Sequence, residues 1–173
     1  FWRTFPTSDE APFDFFMEDP AAPGGTWLQG TIDRAGRLLA LGSSLFVWNA
    51  FPQDERDDPD LRIAGYNFRG GDYGGVALAG GRVYVSSGNS NKILVYNAAP
   101  TRSDQPPDFA IGSPGICANT LESNFFITNP QPVSDGRSLF VASDFDNRLY
   151  VWRHLPDESG AHPDLVYRFP QFG

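Results

Sequence analysis

The chain carries 21 acidic and 13 basic residues over 173 positions, a formal net charge of −8, and Lys92 is its one lysine. Without a Lys/Arg cluster it has no surface to displace phosphate counterions, which argues against nucleic acid as a partner. A single cysteine, Cys117, excludes an intrachain disulfide, and no apolar run reaches the length of a helical membrane span. Abundant aromatics, 18 glycines and 15 prolines suit short strands separated by many turns.

In chain order, the first element belongs to a recurring pattern. Trp2 stands four residues before Pro6, and Asp14 follows Pro6 by eight. The same spacing returns at Trp48/Pro52/Asp60, Tyr96/Pro100/Asp108 and Trp152/Pro156/Asp164. The copies start 46, 48 and 56 residues apart, a period that marks a repeat architecture. Between marks the pattern predicts short strands. The first set falls at 30–33, 37–41, 45–48 and 60–64, with a short turn at Gly42, Ser43 and Ser44. The second set falls at 75–78, 82–86, 92–96 and 108–111, with a Gly/Asn-rich turn at 87–91. The third set falls at 131–134, 138–142, 148–152 and 164–167. Gly and Asn tolerate positive φ, so these turns read as hairpins.

Each set is thus a four-stranded antiparallel meander of roughly 50 residues, the blade size of a β-propeller. Ile93, Leu94 and Val95 run consecutively, as do Leu139, Phe140 and Val141. A sheet with one wet face would alternate, so these runs predict cover on both faces, as between stacked blades. Linkers too short for helical crossovers exclude a parallel sheet.

Gly81-Arg82-Val83-Tyr84-Val85, then Asn91-Lys92-Ile93-Leu94-Val95-Tyr96-Asn97, then Pro107-Asp108-Phe109-Ala110-Ile111-Gly112 form one unit. Gly136-Arg137-Ser138-Leu139-Phe140-Val141-Ala142, Asn147-Arg148-Leu149-Tyr150-Val151-Trp152 and Pro163-Asp164-Leu165-Val166-Tyr167 form another. These units resemble the NHL-type β-propeller repeats of bacterial proteins, over nearly the whole chain. The first unit departs from that pattern at Gly42 to Ser44, and Ser87 and Ser143 stand where the family often has Asp. The resemblance implies a fold and says little of activity.

The expected fold is all-β, about three and a half blades in one partial propeller: a half blade at 1–17 and blades at 27–66, 74–112 and 130–169. Phe1 and Trp2 fall in the third strand of a blade whose inner strands do not precede them. An unclosed stack exposes an apolar face and free strand edges at each end. The chain is therefore expected to belong to a larger propeller of six to eight blades, completed by more of the same polypeptide or by another chain. Phe1 in place of an initiator Met points to a removed signal peptide, a longer N-terminal region or unread sequence.

Few residues offer chemistry. His154 and His162 share one outer loop and read as surface residues, not metal ligands. Asp144, Asp146 and Asn147 have oxygen-ligand spacing for calcium, but lack the Gly and bidentate Glu of a full calcium loop; tight-turn chemistry is the plain reading and calcium the weak alternative. Gly70 to Gly75 is Gly-rich without the Lys and Ser/Thr of a phosphate loop. No nucleophile elbow is present, since Gly112-Ser113-Pro114-Gly115 has the wrong spacing. Cys117 has no flanking motif. Two places are candidates for partner binding. One is the acidic outer loop with Asp54, Glu55, Asp57 and Asp58, where a solvated surface is the plain reading and a basic partner the alternative. The other is Phe125 and Phe126 in the longest connection, 113–130, where capping of the blade is the plain reading.

The function expected from the sequence is a non-catalytic propeller module, an interaction scaffold or subunit of an assembly, with no cofactor. Its alternative is a fragment of a propeller lyase or lactone hydrolase whose active-site residues lie outside this segment. The expected location is extracellular or periplasmic, with the cytoplasm as the alternative.

Overall fold

The computed structural model describes residues 1–68, 73–118, 130–143 and 147–170. Twelve strands form three four-stranded antiparallel sheets. Blade 1 is β1 (Gln29–Ile32), β2 (Leu38–Leu41), β3 (Leu45–Trp48) and β4 (Leu61–Ile63). Blade 2 is β5 (Val76–Ala79), β6 (Arg82–Ser87), β7 (Lys92–Tyr96) and β8 (Phe109–Ile111). Blade 3 is β9 (Pro130–Ser134), β10 (Leu139–Ser143), β11 (Arg148–Trp152) and β12 (Leu165–Arg168). In every blade the strands pair in sequence order, as hairpins joined by short loops require. The first strands of the blades are neighbours: β5 packs beside β1 and beside β9. They line the inside of the stack, and the fourth strands lie at its rim.

Strand pairing fixes which side chains share a face. In blade 1, Leu39, Val47 and Leu61 lie in one cross-strand row and Leu41, Leu45 and Ile63 in the next. This face packs on Val76, Val83, Val85, Leu94 and Tyr96 of blade 2. The opposite face of blade 2, with Tyr84, Val95, Phe109, Ile93 and Ile111, packs on Leu139, Val141, Tyr150 and Trp152 of blade 3. Each blade therefore presents one face to the next and the other to the one before. The consecutive apolar runs of β3 and β7 follow from this, because both their faces are buried. β10 differs. Leu139 and Val141 are buried against blade 2, but Phe140 is only half-buried, since no described residue covers that side.

The repeated mark is a clamp on the outer loop. The carboxylate of Asp14, Asp60, Asp108 or Asp164 accepts the backbone N–H of Arg3, Asn49, Asn97 or Arg153, at 2.7 Å in all four copies. The donor is the residue directly after the aromatic, so the mark closes the same loop each time. Trp2, Trp48 and Trp152 add a second tie, each indole N–H donating to the carbonyl nine residues on, in Ala11, Asp57 and Ala161. Tyr96 has no equivalent donor reach, and its buried hydroxyl has no partner among the described residues.

Residues 1–28 hold no regular strand, yet Phe1 and Phe15 are joined as outer strands would be. The Phe1 amino group donates to the Phe15 carbonyl at 2.7 Å, and Asp14 N–H to the Phe1 carbonyl at 2.9 Å. Phe1, Phe15 and Met17 then cover Leu38, Ala40, Phe46 and Trp48 on the near face of blade 1, the side on which a preceding blade would sit. The shortened turn of blade 1 has its own support. Buried Asp19 accepts from Ser43 N–H at 2.6 Å, Ser43 Oγ at 3.0 Å and Ala21 N–H at 2.9 Å. A Cβ on Gly42 would stand 2.5 Å from an Asp19 oxygen, so a larger residue there would push Asp19 off its donors. In blades 2 and 3 the longer turns end instead on Asn91 and Asn147, both at φ 49°, a left-handed conformation that Asn tolerates.

Candidate interaction surface

Among the described residues no further blade packs on the far face of blade 3. Its rows are Val133, Phe140, Val151 and Leu165, and beside them Gln131, Ala142, Leu149 and Tyr167. They occupy the register positions of Ala77, Tyr84, Val95 and Phe109, and of Ser86, Ile93 and Ile111, which blade 3 covers in blade 2. Val133 and Tyr167 are 57% and 52% exposed, against 6% and 0% for Ala77 and Ile111. Phe169, past the end of β12, is also exposed.

The opposite end of the stack is open too. Trp2 and Phe16 point away from blade 1, 49% and 54% exposed, and Phe13 lies edge-on to Phe16 with ring centroids 6.4 Å apart. Farther in, a cavity of about 260 Å³ lined by Phe1, Met17, Trp27, Leu38, Ala40 and Trp48 lies on the same side of blade 1. It is almost wholly apolar, and it sits over β1 and β2, inward of the outer-strand pair formed by Phe1 and Phe15.

Blade-to-blade seams also carry polar ties at the rim. Arg62 N–H donates to Ser103 Oγ at 3.3 Å, and Ala110 N–H to Ser159 Oγ at 3.1 Å. In both, the outer strand of one blade meets the residue three past the proline of the next blade's mark. Gly160 N–H returns a bond to the Ala110 carbonyl at 3.1 Å, and Arg82 reaches the Pro156 carbonyl at 2.7 Å. Arg3 likewise donates to the Gln53 carbonyl of blade 1.

The acidic loop is a built turn. Asp54 accepts Arg56 N–H, Asp57 accepts Gln53 N–H, and the Asp57 carbonyl takes the Trp48 indole. Asp54, Glu55 and Asp58 are exposed, whereas Asp57 is half-buried, so the run holds its own loop while offering three carboxylates outward. His154 and His162 are both exposed on the loop between β11 and β12. Asn147 closes its turn, while Asp144 and Asp146 lie outside the described residues, as do Phe125, Phe126 and Gly70 to Asp72. Among the described residues no group of three or more His, Cys, Asp or Glu is gathered for a metal, and no helix is long and apolar enough to cross a membrane.

Lys92 is the one feature of possible chemistry that the sequence did not place. It is 5% exposed, and its ammonium donates to the carbonyls of Ile116 and Ala118 at 2.9 and 2.8 Å. Burial pushes its pKa down, partly offset by the neighbouring Cys117. It borders a cavity of about 430 Å³ with Tyr66, Asn67, Ser87 and Cys117. Both carbonyl bonds tie the start of the connection after β8 to β7, a structural use of the charge. Elsewhere, hydrogen bonds from the Ser138 and Arg137 backbone hold Asp135 below the usual carboxylate range. At Asp33 burial raises the pKa, but bonds from Arg37 and Ala35 outweigh it and the net shift is downward. Both carboxylates secure the turn before a second strand.

No protein-family profile and no curated protein matches the chain. Among solved structures it is similar to a chain in the humanized mutant of the Chaetomium thermophilum Polycomb Repressive Complex 2 bound to the inhibitor GSK126. The identity is 16%, the TM-score 0.50, and the match covers 82% of this chain. This chain spans about a third of the other, 32% of its length. At that identity the likeness is one of fold: stacked antiparallel blades in a propeller-like arrangement.

Proposed function

We propose that this chain is a non-catalytic, NHL-type β-propeller module of an exported bacterial protein, serving as a protein-interaction scaffold within a larger propeller of six to eight blades. The observation that carries the reading is the uncovered face of blade 3, apolar at the same register positions that the stack buries elsewhere. Soluble chains seldom leave such a face open, so it belongs against protein. The acidic loop at Asp54, Glu55 and Asp58 is a second place for a basic partner. The module works between extracellular or periplasmic partners.

The complete reading frame is the test. The expected result is continuation of the roughly 50-residue period, with small or apolar residues at the axis-facing ends of the added inner strands. Several His, Asp or Glu at those positions would instead assign the module to a propeller lyase or lactone hydrolase.

A further inference from the structure

We infer that the cavity bordered by Lys92 is a binding site for a small organic monocarboxylate, with the Lys92 ammonium as its charge partner. The site is independent of the scaffold reading and lies mid-chain, built from segments between β4 and β9. Three stretches meet there: the connection leaving blade 1 at Asn67, the β6–β7 turn at Ser90, and the connection after β8 at Ile116 and Ala118. They hold one another in place. The Asn67 amide donates to Ser90 Oγ at 3.2 Å and the Ser87 hydroxyl to the Tyr66 carbonyl. Lys92 Nζ donates to the Ile116 and Ala118 carbonyls at 2.9 and 2.8 Å.

Charge is what this arrangement leaves over. The chain has 21 acidic residues against 13 basic, yet no Asp or Glu stands among the described residues that line the cavity. A neutral amide could tie the same two carbonyls, whereas an ammonium only 5% exposed is costly unless an anion accompanies it. Burial lowers the Lys92 pKa, and of its described neighbours only the Cys117 thiol opposes that. The hydrogen bonds left over have the same sign. Two of the three ammonium N–H bonds are spent, and the third has no acceptor among the described residues. Ser90 Oγ accepts from Asn67 and keeps its own proton to give. The unsatisfied groups are thus donors, complementary to a carboxylate, which only accepts. One full positive charge matches a monoanion, and Leu94, Ile116 and Ala118 on the wall suit a short aliphatic body. The volume of about 430 Å³ holds an acid of a few carbons.

Because Lys92 is the chain's one lysine, isotope-labelled lysine gives a single side-chain NMR signal, and that signal reports on the site. Titration of the chain with butyrate at neutral pH should move it saturably, whereas butylamine and sodium chloride at equal ionic strength should leave it in place. By calorimetry, Lys92→Gln should weaken butyrate binding about tenfold to a hundredfold, the usual reach of a hydrogen bond to a charged group. Ser90→Ala should weaken it about threefold to tenfold, as loss of a neutral donor does. Ser90 is half-buried in the turn, so this variant tests the site even where Lys92→Gln does not fold. A Lys92 signal that butyrate does not move overturns the proposal, as does one that chloride moves equally. Butyrate binding that Lys92→Gln retains in full overturns it as well, and inorganic phosphate binding more tightly than butyrate overturns the carboxylate assignment.

Discussion

Blades 2 and 3 are built alike and covered differently. They share strand order, antiparallel register and the same aspartate clamp at 2.7 Å. Their far faces match in character, Tyr84 with Phe140, Val95 with Val151, Ile93 with Leu149 and Phe109 with Leu165. Yet Ile93 is fully buried and Leu149 only partly so. The exposure of blade 3 therefore comes from what lies beside it and not from a change in its own sequence. Fold and cover are separate properties here: strands and clamp make a blade, and the neighbour decides how much that blade's apolar rows contribute.

The largest expected effect tests this separation directly. Ile93→Ala removes methylenes from a packed seam and should cost about 2–5 kcal/mol in urea unfolding. Leu149→Ala at the matching position should cost only about 1 kcal/mol, in proportion to the smaller area it buries. Equal losses at the two sites would mean that the far face of blade 3 is covered within the chain itself.

The clamp should show the opposite behaviour, with no difference between blades. Asp108→Ala and Asp164→Ala each leave one rim N–H, of Asn97 or Arg153, without its carboxylate. Each should lower stability by about 1 kcal/mol, the usual cost of a lost side-chain cap. A much larger loss in blade 2 than in blade 3 would show that the clamp acts through the blade seam rather than within one outer loop.

Much of this was legible in the sequence because the repeat is a local pattern. The spacing of Trp48, Pro52 and Asp60 located the outer loop, and the apolar runs located β3 and β7 within a residue or so of their observed ends. The chemistry of the mark was not legible. A shared spacing cannot say that the aspartate turns back to an N–H eleven residues earlier, which depends on how the loop folds. Asp19 was invisible for the same reason, since its three donors are brought to it from Ala21 and from Ser43, 24 residues on. The open face was half-visible. The unclosed blade count predicted an apolar face at each end, but the run Leu139, Phe140, Val141 resembles that of a doubly covered strand, and the three-dimensional stack was needed to show that no described residue covers its Phe140 side. Phe125 and Phe126, the other partner candidates, lie outside the described residues.

The smallest effect sharpens the comparison at the strand ends, where β7 finishes in Tyr96 and β11 in Trp152. Trp152 spends its ring N–H on the Ala161 carbonyl at 3.1 Å, while the Tyr96 hydroxyl is buried without a partner among the described residues. Burial pushes the Tyr96 pKa well above its usual value of 10.0, with Tyr66 and Asp108 adding to the rise. The unfolded chain therefore loses this proton first, and the folded state loses stability as the pH climbs past about 10. Tyr96→Phe removes both the unpaired hydroxyl and this titration. At pH 7 it should leave stability unchanged or raise it by up to about 1 kcal/mol, and above pH 10 the gain should widen. Urea midpoints for the two proteins at pH 7 and pH 10.5 decide the matter. A variant that is less stable at pH 7, or a gap that does not grow with pH, would mean that the hydroxyl has a partner and that β7 closes its loop as β11 does.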